Sequence, residues 1–425
     1  MTQTPAPAGS QRFAFLEGIR GLGCVQVMII HYLSAFLPPL GRVQGSPHYG
    51  WEVPLARSPL FALVNGTVTV DLFFLVSAFV LTQSYLKPSA PFERQVLKRF
   101  TRLFLPTAAS VLFAALLITA WPQPRAWVAP YAHSIWGEHL YAMPITFLTV
   151  AKDVLLNSML IGYRGASLFD LVDPSGTMVK PLTLSLNPPL WTLHAEFWGS
   201  ILVLLLAFLY RHLPRRWFWL AFAGLFLITG SSHFTLFLIG FVGYLYRGSM
   251  LYERGWKATA AGALLVGIGL YISSLADSSL FDRLILAASH FTWLQAAAGF
   301  RLQSQIAAFL IMSGLMILPR IREKLSAPWI LWLGRGSFGL YLVHFPVLFT
   351  VGYAVFAWAL PYMPYGAALA LSLLLGGTLS LALAKLFEHW IDQPALRLSN
   401  RLLGRRSSAP RVETPSTLGS PTLLQ

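Results

Sequence analysis

Three ionisable residues lie on one stripe of the first strongly apolar segment of the chain. The segment FLEGIRGLGCVQVMIIH contains Glu17, Arg20 and His31. In an α-helix, Arg20 and His31 fall on nearly the same face, and Glu17 lies about 40° from that line. Ionisable side chains inside a membrane span are costly and usually mark a functional site. The stripe therefore predicts a site that connects a charged membrane surface to a titratable group about 16 Å deeper.

His31 is the member of this stripe that can accept and return a proton near neutral pH, so we predict that it acts as a general base. Arg20 carries a planar guanidinium that suits phosphate oxygens, and we predict that it binds an anionic part of a substrate. Glu17 lies three residues before Arg20, where an ion pair between the two is expected. These roles require a bundle of helices that shields the stripe from lipid.

Further charged groups border the second and third apolar segments. Asp71 lies near the outer end of the second segment, GTVTVDLFFLVSAF. It is either the partner of a neighbouring helix or part of a polar site, and we predict that it orients His31. Arg99 and Arg102 precede the third segment in LKRFTRLFLP. They either anchor that segment at the cytoplasmic surface or bind phosphate together with Arg20.

The fourth apolar segment begins from the outer side with NPPLWTLHAEFWGS, which contains Trp191, His194 and Glu196. Tryptophan and histidine are common at membrane interfaces, but a carboxylate just inside an apolar run is harder to explain. We predict that these three side chains contact or support a substrate that enters from the outer side.

The ninth apolar segment, GRGSFGLYLVHFP, carries Ser337, Tyr341 and His344 on one helical face. His344 either satisfies a hydrogen bond between helices or belongs to a site, and we assign Tyr341 and His344 to binding of a donor substrate. The chain has no Walker loop, dinucleotide fingerprint, GxSxG elbow or HExxH motif. It therefore gives no support for ATP use, a bound dinucleotide, a serine hydrolase or a zinc protease.

The composition is that of a polytopic membrane protein. Of 425 residues, 56% are hydrophobic and only 11% are charged. The net charge of +15 is scattered over loops between apolar segments, which does not indicate nucleic-acid binding. A single cysteine, Cys24, excludes an intramolecular disulfide and every multi-cysteine metal site, and we predict no metal.

The predicted fold is an all-α bundle of about ten transmembrane helices with both termini cytoplasmic. Basic residues support this topology, because 22 of the 31 Lys and Arg residues fall in the segments assigned to the inside and 8 in those outside, with Lys385 in the last span. The ten predicted spans are 19–37, 68–85, 103–121, 190–210, 217–230, 234–246, 258–275, 305–318, 337–360 and 366–387.

The chain is predicted to hold one membrane domain, residues 12–400, between disordered tails at 1–11 and 401–425. The longest outer segment, 122–189, is rich in aromatic and acidic residues. It is either a sugar-binding surface, which would combine aromatic platforms with carboxylates, or an ordinary interfacial aromatic belt.

Six short motifs in this order resemble the membrane acyltransferase 3 family, which includes O-acetylases of bacterial surface polysaccharides. They are FLEGIRG with His31, GTVTVDLFFLVSAF, LKRFTRLFLP, LWTLHAEFWGS, SFGLYLVHFP and WIDQPALR. The resemblance covers about residues 12–400. Ala78 replaces a frequent Gly of the family and Asp392 a frequent Glu, and neither change removes an obvious proton-transfer group.

The resemblance implies transfer of an acyl group, first of all acetyl, from acyl-coenzyme A to a hydroxyl of a carbohydrate or glycolipid acceptor. Acyl-coenzyme A would be a co-substrate and not a permanently bound cofactor. Its phosphates would dock at the inner face on Arg20, Arg99 and Arg102, and the acceptor would approach His31 from outside. The implied location is the cytoplasmic membrane of the cell, with the lipid bilayer as surroundings and no nucleic-acid partner.

Two other classes of function remain at this stage. A transporter of an anionic or sugar-linked substrate would also use an intramembrane Arg and His, although no inverted repeat is evident. A sensor or scaffold would leave the ionisable stripe without a purpose. The sequence makes no prediction of oligomeric state. The acceptor stays open between surface polysaccharide, peptidoglycan sugar, glycolipid and small glycosylated metabolite.

Overall fold

The computed structural model describes residues 13–402, apart from 88–89, 142, 174–176, 231, 253–254, 278, 282 and 284–298. The described residues are helical and contain no β-strand, only an isolated bridge between Gly45 and Ser134. The predicted all-α class is therefore confirmed. The predicted disordered tails, 1–11 and 401–425, lie outside the described residues except for residues 401 and 402.

Ten helices of twelve or more residues are described, and each overlaps one predicted span. They are α1 (Ala14–Phe36), α2 (Gly66–Tyr85), α3 (Phe92–Ala120), α4 (Trp191–His212), α5 (Arg215–Thr229), α6 (Phe234–Leu245), α7 (Trp256–Ser274), α8 (Gly299–Ile317), α9 (Pro328–Val347) and α10 (Tyr365–Phe387). Helices α9 and α10 each continue through a π-helical turn into a further helix, Tyr353–Ala359 and Gln393–Arg401 respectively. The longer helices of the connecting segments are Gln123–Ala132 and Asp153–Ile161.

Seven of the described helices are long and apolar enough to cross a membrane. An eighth span results if Arg301–Ile317 and Pro319–Leu325, which meet at 100°, are counted together. Helices α5 and α6, with 15 and 12 residues, are shorter than a usual span. The protein is thus a helical multi-pass membrane protein. The count of ten and the cytoplasmic side of both termini stay predictions.

Small residues let α1 and α9 pack closely in parallel. A Cβ atom added at Gly334 would lie 2.5 Å from the backbone oxygen of Glu17, and one at Gly21 would lie 2.5 Å from the backbone nitrogen of Gly334. One turn further, Cys24 donates its thiol to the carbonyl oxygen of Ser337 over 3.1 Å. Such close backbone approach is typical of small residues at membrane helix interfaces. The seam fixes the register of the two helices.

The segment between α3 and α4 folds back into the bundle. Asn187, just before α4, donates its side-chain amide to Ser110 over 2.8 Å and to the carbonyl oxygen of Leu342 over 2.9 Å. Ser110 lies well inside α3, so α4 begins inside the bundle and not at the outer end of α3 as the sequence predicts. The side-chain NH2 group of Asn187 finds its two hydrogen-bond acceptors there, which explains the deep start.

Candidate active site

His31 and His344 form a hydrogen-bonded pair between α1 and α9. Nδ1 of His344 lies 2.9 Å from the carbonyl oxygen of Leu340, to which only an N–H can donate. In the neutral imidazole this leaves Nε2 of His344 as an acceptor, and Nδ1 of His31 donates to it over 2.8 Å. The lone pair of His31 is then on Nε2. The chain of bonds from Leu340 sets the tautomer that a general base needs.

His31 also lines a cavity of about 550 Å³. Within the described residues Nε2 of His31 has no hydrogen-bond partner. The His31 ring lies parallel to the Trp136 ring with centroids 6.3 Å apart, is nearly coplanar with its hydrogen-bond partner His344 at 5.1 Å, and meets Phe345 edge-on at 5.0 Å. These contacts fix the plane of the ring. Other side chains of the cavity wall that bear on its chemistry are Arg42, Trp191, His233, Arg301 and Tyr341.

The cavity is basic. Two arginines line it, and none of its described lining residues is Asp or Glu. Arg42 donates to the carbonyl oxygens of Ala56 and Leu275 and lies 3.4 Å from the centre of the Phe61 ring. Burial lowers the pKa of Arg42 to about 10, which still leaves its guanidinium charged at neutral pH.

Asp71 does not contact His31, because both of its carboxylate oxygens have other partners. Nδ1 of His233 lies 3.3 Å from Oδ1, and the hydroxyl of Ser304 donates to Oδ2 over 2.6 Å. The predicted orientation of His31 by Asp71 is therefore corrected: His344 holds His31, and Asp71 holds His233. The bond from Ser304 to Asp71 joins α8 to α2, and this pairing of helices could not be predicted from the sequence.

His233 is a residue of the cavity that is not among the predicted site residues. This residue precedes the short helix α6 and lines the same cavity as His31. In the sequence, His233 lies at the turn between two apolar segments. A histidine in that position is also typical of a residue at the membrane interface, so the position alone does not indicate a site.

Tyr341 and Trp191 lie at the cavity wall. The Tyr341 hydroxyl donates to the carbonyl oxygen of Pro189 over 2.9 Å and lies 3.0 Å from the hydroxyl of Thr192. The Trp191 ring lies 4.8 Å from the ring of His233. Tyr341, predicted to bind the donor beside His344, is thus grouped by the structure with the cavity that contains His31.

His194 supports the segment that folds back into the bundle. Its Nδ1 donates to the carbonyl oxygen of Met159 over 3.2 Å, and the backbone N–H of Leu168 donates to its Nε2 over 2.9 Å. Gly162, with φ of +81°, packs against the ring, where a Cβ atom would lie 2.7 Å from Cγ of His194. Both ring nitrogens are occupied, so His194 has a supporting position outside the cavity lining.

Glu196 and the two arginines of α3 form ion pairs. Arg99 binds the Glu196 carboxylate, which also accepts from the Ser77 hydroxyl. Arg102 binds Asp392 through both guanidinium nitrogens. Glu196 is predicted to contact a substrate at the outer side, and this prediction is corrected. Helix α4 starts so deep in the bundle that its second turn, which carries Glu196, lies level with Arg99.

Arg20 differs from these two arginines. Its side chain is exposed, and it has no hydrogen bond or ion pair with any described residue. The ion pair expected between Glu17 and Arg20 is likewise not formed among the described residues. Arg20 is therefore the arginine of the predicted donor set whose guanidinium is available to a ligand.

The segment 122–189, which is predicted to lie outside, contributes an aromatic ring but no carboxylate to the described cavity lining. The Trp136 ring stacks on the His31 ring. An aromatic ring at this place is what a substrate-binding segment would contribute. The carboxylates of Asp153, Asp170 and Asp173 instead accept hydrogen bonds from backbone N–H groups of their own segment. Across the described chain, no three His, Cys, Asp or Glu side chains converge as metal ligands would.

A cavity that places two histidines and two arginines inside an apolar helical bundle fits a multi-pass membrane enzyme. The family model described as an acyltransferase domain matches residues 13–387, and the chain belongs to this acyltransferase 3 family. The protein is therefore a membrane acyltransferase, and the transporter and scaffold alternatives are not retained.

Three curated relatives are similar over most of the chain. The O-acetyltransferase PaAT-1 of Phomopsis amygdali is 25% identical over 393 residues, which cover 80% of this chain and 73% of that protein. Nodulation protein 10 of Rhizobium leguminosarum bv. viciae is 25% identical over 84% of this chain and 89% of its own length. Acyltransferase R4 of a Phoma species is 22% identical over 95% of this chain and 98% of its own length. No solved structure matches the chain.

Proposed function

We propose that this enzyme transfers an acyl group, first of all acetyl, from acyl-coenzyme A to a hydroxyl of a carbohydrate or glycolipid. One observation carries the proposal: Nε2 of His31 is a hydrogen-bond acceptor without a described partner in a cavity of about 550 Å³. A neutral imidazole in that state can take the proton of an attacking hydroxyl.

The transfer is direct in this proposal. The acceptor hydroxyl gives its proton to Nε2 of His31 while its oxygen bonds to the thioester carbonyl carbon. Collapse of the tetrahedral intermediate restores the carbonyl, breaks the carbon–sulfur bond and releases the thiolate of coenzyme A. The proton on His31 then passes to the thiolate. The products are an ester and free coenzyme A, and His31 returns to its neutral form.

The donor binds through its phosphates at the end of the stripe that carries Arg20. Support comes from the exposed guanidinium of Arg20, which lies on the same helix as His31 about 16 Å away. Arg99 and Arg102 contribute less positive charge to this donor site, because their charges are balanced by Glu196 and Asp392. We therefore assign the main phosphate contact to Arg20.

The acceptor occupies the cavity between Trp136 and Trp191. Indole faces suit the apolar faces of sugar rings, and similarity to the Phomopsis relative, which is named as an O-acetyltransferase, supports a hydroxyl acceptor. The enzyme acts in the cytoplasmic membrane, with the donor supplied from inside and the acceptor from outside.

Product analysis tests this function. Purified protein in detergent, supplied with acetyl-coenzyme A and glycan or glycolipid extracts, should release free coenzyme A and form an ester of one added acetyl mass. Mass spectrometry of surface glycans and lipids from cells with and without the intact gene should show the same mass difference. Release of coenzyme A without any acylated product would contradict the proposal.

A further inference from the structure

His233 and Asp71 form a second histidine site in the cavity that contains His31. The Asp71 side chain is fully buried, and its oxygens bind Nδ1 of His233 and the hydroxyl of Ser304. His233 lines the cavity. One imidazole ring therefore connects a buried carboxylate to the cavity wall.

Asp71 and His233 form a carboxylate–imidazole pair inside the bundle. The Ser304 hydroxyl donates to Oδ2 of Asp71 over 2.6 Å, and Nδ1 of His233 lies 3.3 Å from Oδ1. A carboxylate anion in this interior needs a partner charge, because burying it alone is costly. The imidazolium form of His233 supplies that charge, and in this form both ring nitrogens carry protons.

In the imidazolium form of His233, the second ring nitrogen, Nε2, is a hydrogen-bond donor towards the cavity. With Nδ1 turned to Asp71, Nε2 has no hydrogen-bond partner among the described residues. The rings of Trp191, at 4.8 Å, and Phe74, at 5.6 Å, pack against the imidazole and restrict its rotation. The donor is thus fixed in direction before any substrate binds, which is the condition for electrostatic stabilisation of a transition state.

We propose that His233, as an imidazolium paired with Asp71, is a second catalytic residue, which donates its Nε2–H to the carbonyl oxygen of the acyl thioester, and that Asp71 is its positioning residue. This inference rests on the proposed function. When the acceptor oxygen attacks the carbonyl carbon, the π electrons move onto the carbonyl oxygen, and the His233 N–H stabilises that negative charge. The N–H bond is not broken, and the proton balance of the transfer through His31 is unchanged.

His31 and His233 have different hydrogen-bond partners, and these partners suit them to different roles in the reaction. His31 donates to a neutral imidazole, His344, and keeps a free lone pair. In the proposed imidazolium form, His233 faces the Asp71 carboxylate and donates from Nε2. Two titratable groups whose surroundings favour opposite protonation states are a common arrangement of base and electrostatic stabiliser in one active site.

Two amide variants of His233 separate catalysis from structure. His233→Asn places an N–H near the position of Nδ1, so it keeps the bond to Asp71 and loses the donor at Nε2. His233→Gln places an N–H near the position of Nε2. We expect His233→Asn to lower kcat by about 10²- to 10³-fold with little change in the KM for acetyl-coenzyme A. His233→Gln should retain more activity, and the unfolding temperature of His233→Asn should stay near that of the wild type.

If His233 only links helices through its bond to Asp71, the order of the two variants should be reversed. His233→Asn would then have a kcat near the wild-type value and His233→Gln would be impaired. That result would overturn the proposal. Asp71→Asn provides a second measurement. If Asp71 acts through His233, combining Asp71→Asn with His233→Asn should add little to the loss from His233→Asn alone, and additive losses would overturn the positioning role.

The proposed function is tested separately in the same assay. If the wild type transfers acetyl groups and His31→Asn does not, while His233→Asn is fully active, only the role of His233 is wrong. Absence of transfer by the wild type, in the presence of acylated product in intact cells, would overturn both the direct transfer from acetyl-coenzyme A and the role of His233.

Discussion

Cys24 on α1 lies 3.1 Å from the carbonyl oxygen of Ser337 on α9, and the same separation of 313 residues relates His31 to His344. The two helices therefore run parallel and in register from the small-residue seam to the histidine pair. A change at the seam acts on the active site through this register, although it lies two to three helical turns away.

Gly334→Ala tests this coupling. Its Cβ atom would meet the backbone oxygen of Glu17 at 2.5 Å, so α9 must move away from α1. Overpacking of this kind should cost about 1–3 kcal/mol of stability and should also lower kcat. Gly267→Ala on α7 is the matched control, because no atom lies within 4 Å of the added Cβ. Thermal unfolding in detergent and acyl transfer should be unchanged in the control, and equal effects of both substitutions would contradict the coupling.

His344 is predicted to act by holding His31. His344→Phe removes the acceptor for Nδ1 of His31 and should lower kcat by about 10²-fold with an unchanged KM for the donor. His344→Gln offers a carbonyl oxygen near the position of Nε2 and should retain more activity. The earlier assignment of His344 to donor binding predicts the opposite, a raised KM with little change in kcat. Initial rates at varied acetyl-coenzyme A distinguish the two.

The arginines of the predicted donor site should separate into two groups. Arg20→Ala should raise the KM for acetyl-coenzyme A without loss of stability, because its guanidinium is exposed and has no described partner. Arg20→Lys should be a poor substitute, since it loses the planar fork. Wild-type donor kinetics in Arg20→Ala would show that the phosphates bind elsewhere.

Arg99, in contrast, should contribute mainly to stability. Glu196→Leu leaves the guanidinium of Arg99 without its carboxylate and should cost about 1–3 kcal/mol. The double variant Arg99→Leu with Glu196→Leu should recover most of this loss, because no unpaired charge remains. Unfolding measurements on the two single variants and the double variant provide the test, and a double variant less stable than both single variants would contradict the account.

The topology can be tested at the two ends of the span built from α9 and Tyr353–Ala359. In a Cys24→Ala background, a cysteine at Tyr362 should react with a membrane-impermeant thiol reagent in intact cells, and one at Trp329 should not. Both positions are well exposed, at 77% and 62%. Labelling at Trp329 and protection at Tyr362 would reverse the predicted orientation.

The helices could be predicted from the sequence because apolar runs are local features. Each of the ten predicted spans overlaps a described helix, and the stripe of Arg20 and His31 lies on one helix as its spacing requires. Partners from distant parts of the chain could not be predicted in this way. The bond from His31 to His344 and the contact of Asp71 with His233 depend on which helices are neighbours, and one sequence does not specify that.

The depth at which α4 begins is a second feature that could not be predicted from the sequence. Reading Glu196 as an outer residue assumed that a span starts at the membrane surface. The buried contacts of Asn187 start α4 inside the bundle, and its second turn then reaches Arg99. Apolar composition does not distinguish a segment that enters the bundle from one that lies at the interface, because both are rich in proline and aromatic residues.

His31→Asn separates the proposed general base from its hydrogen bond to His344. Asparagine places an N–H near the position of Nδ1 and can keep the bond to His344, but it has no basic nitrogen in place of Nε2. The measurement is acetyl transfer by purified protein at saturating acetyl-coenzyme A, with donor binding measured in parallel. We predict a loss of about 10²- to 10⁴-fold in kcat with donor binding and unfolding temperature preserved. A His31→Asn protein that transfers acetyl at near the wild-type rate would contradict the account.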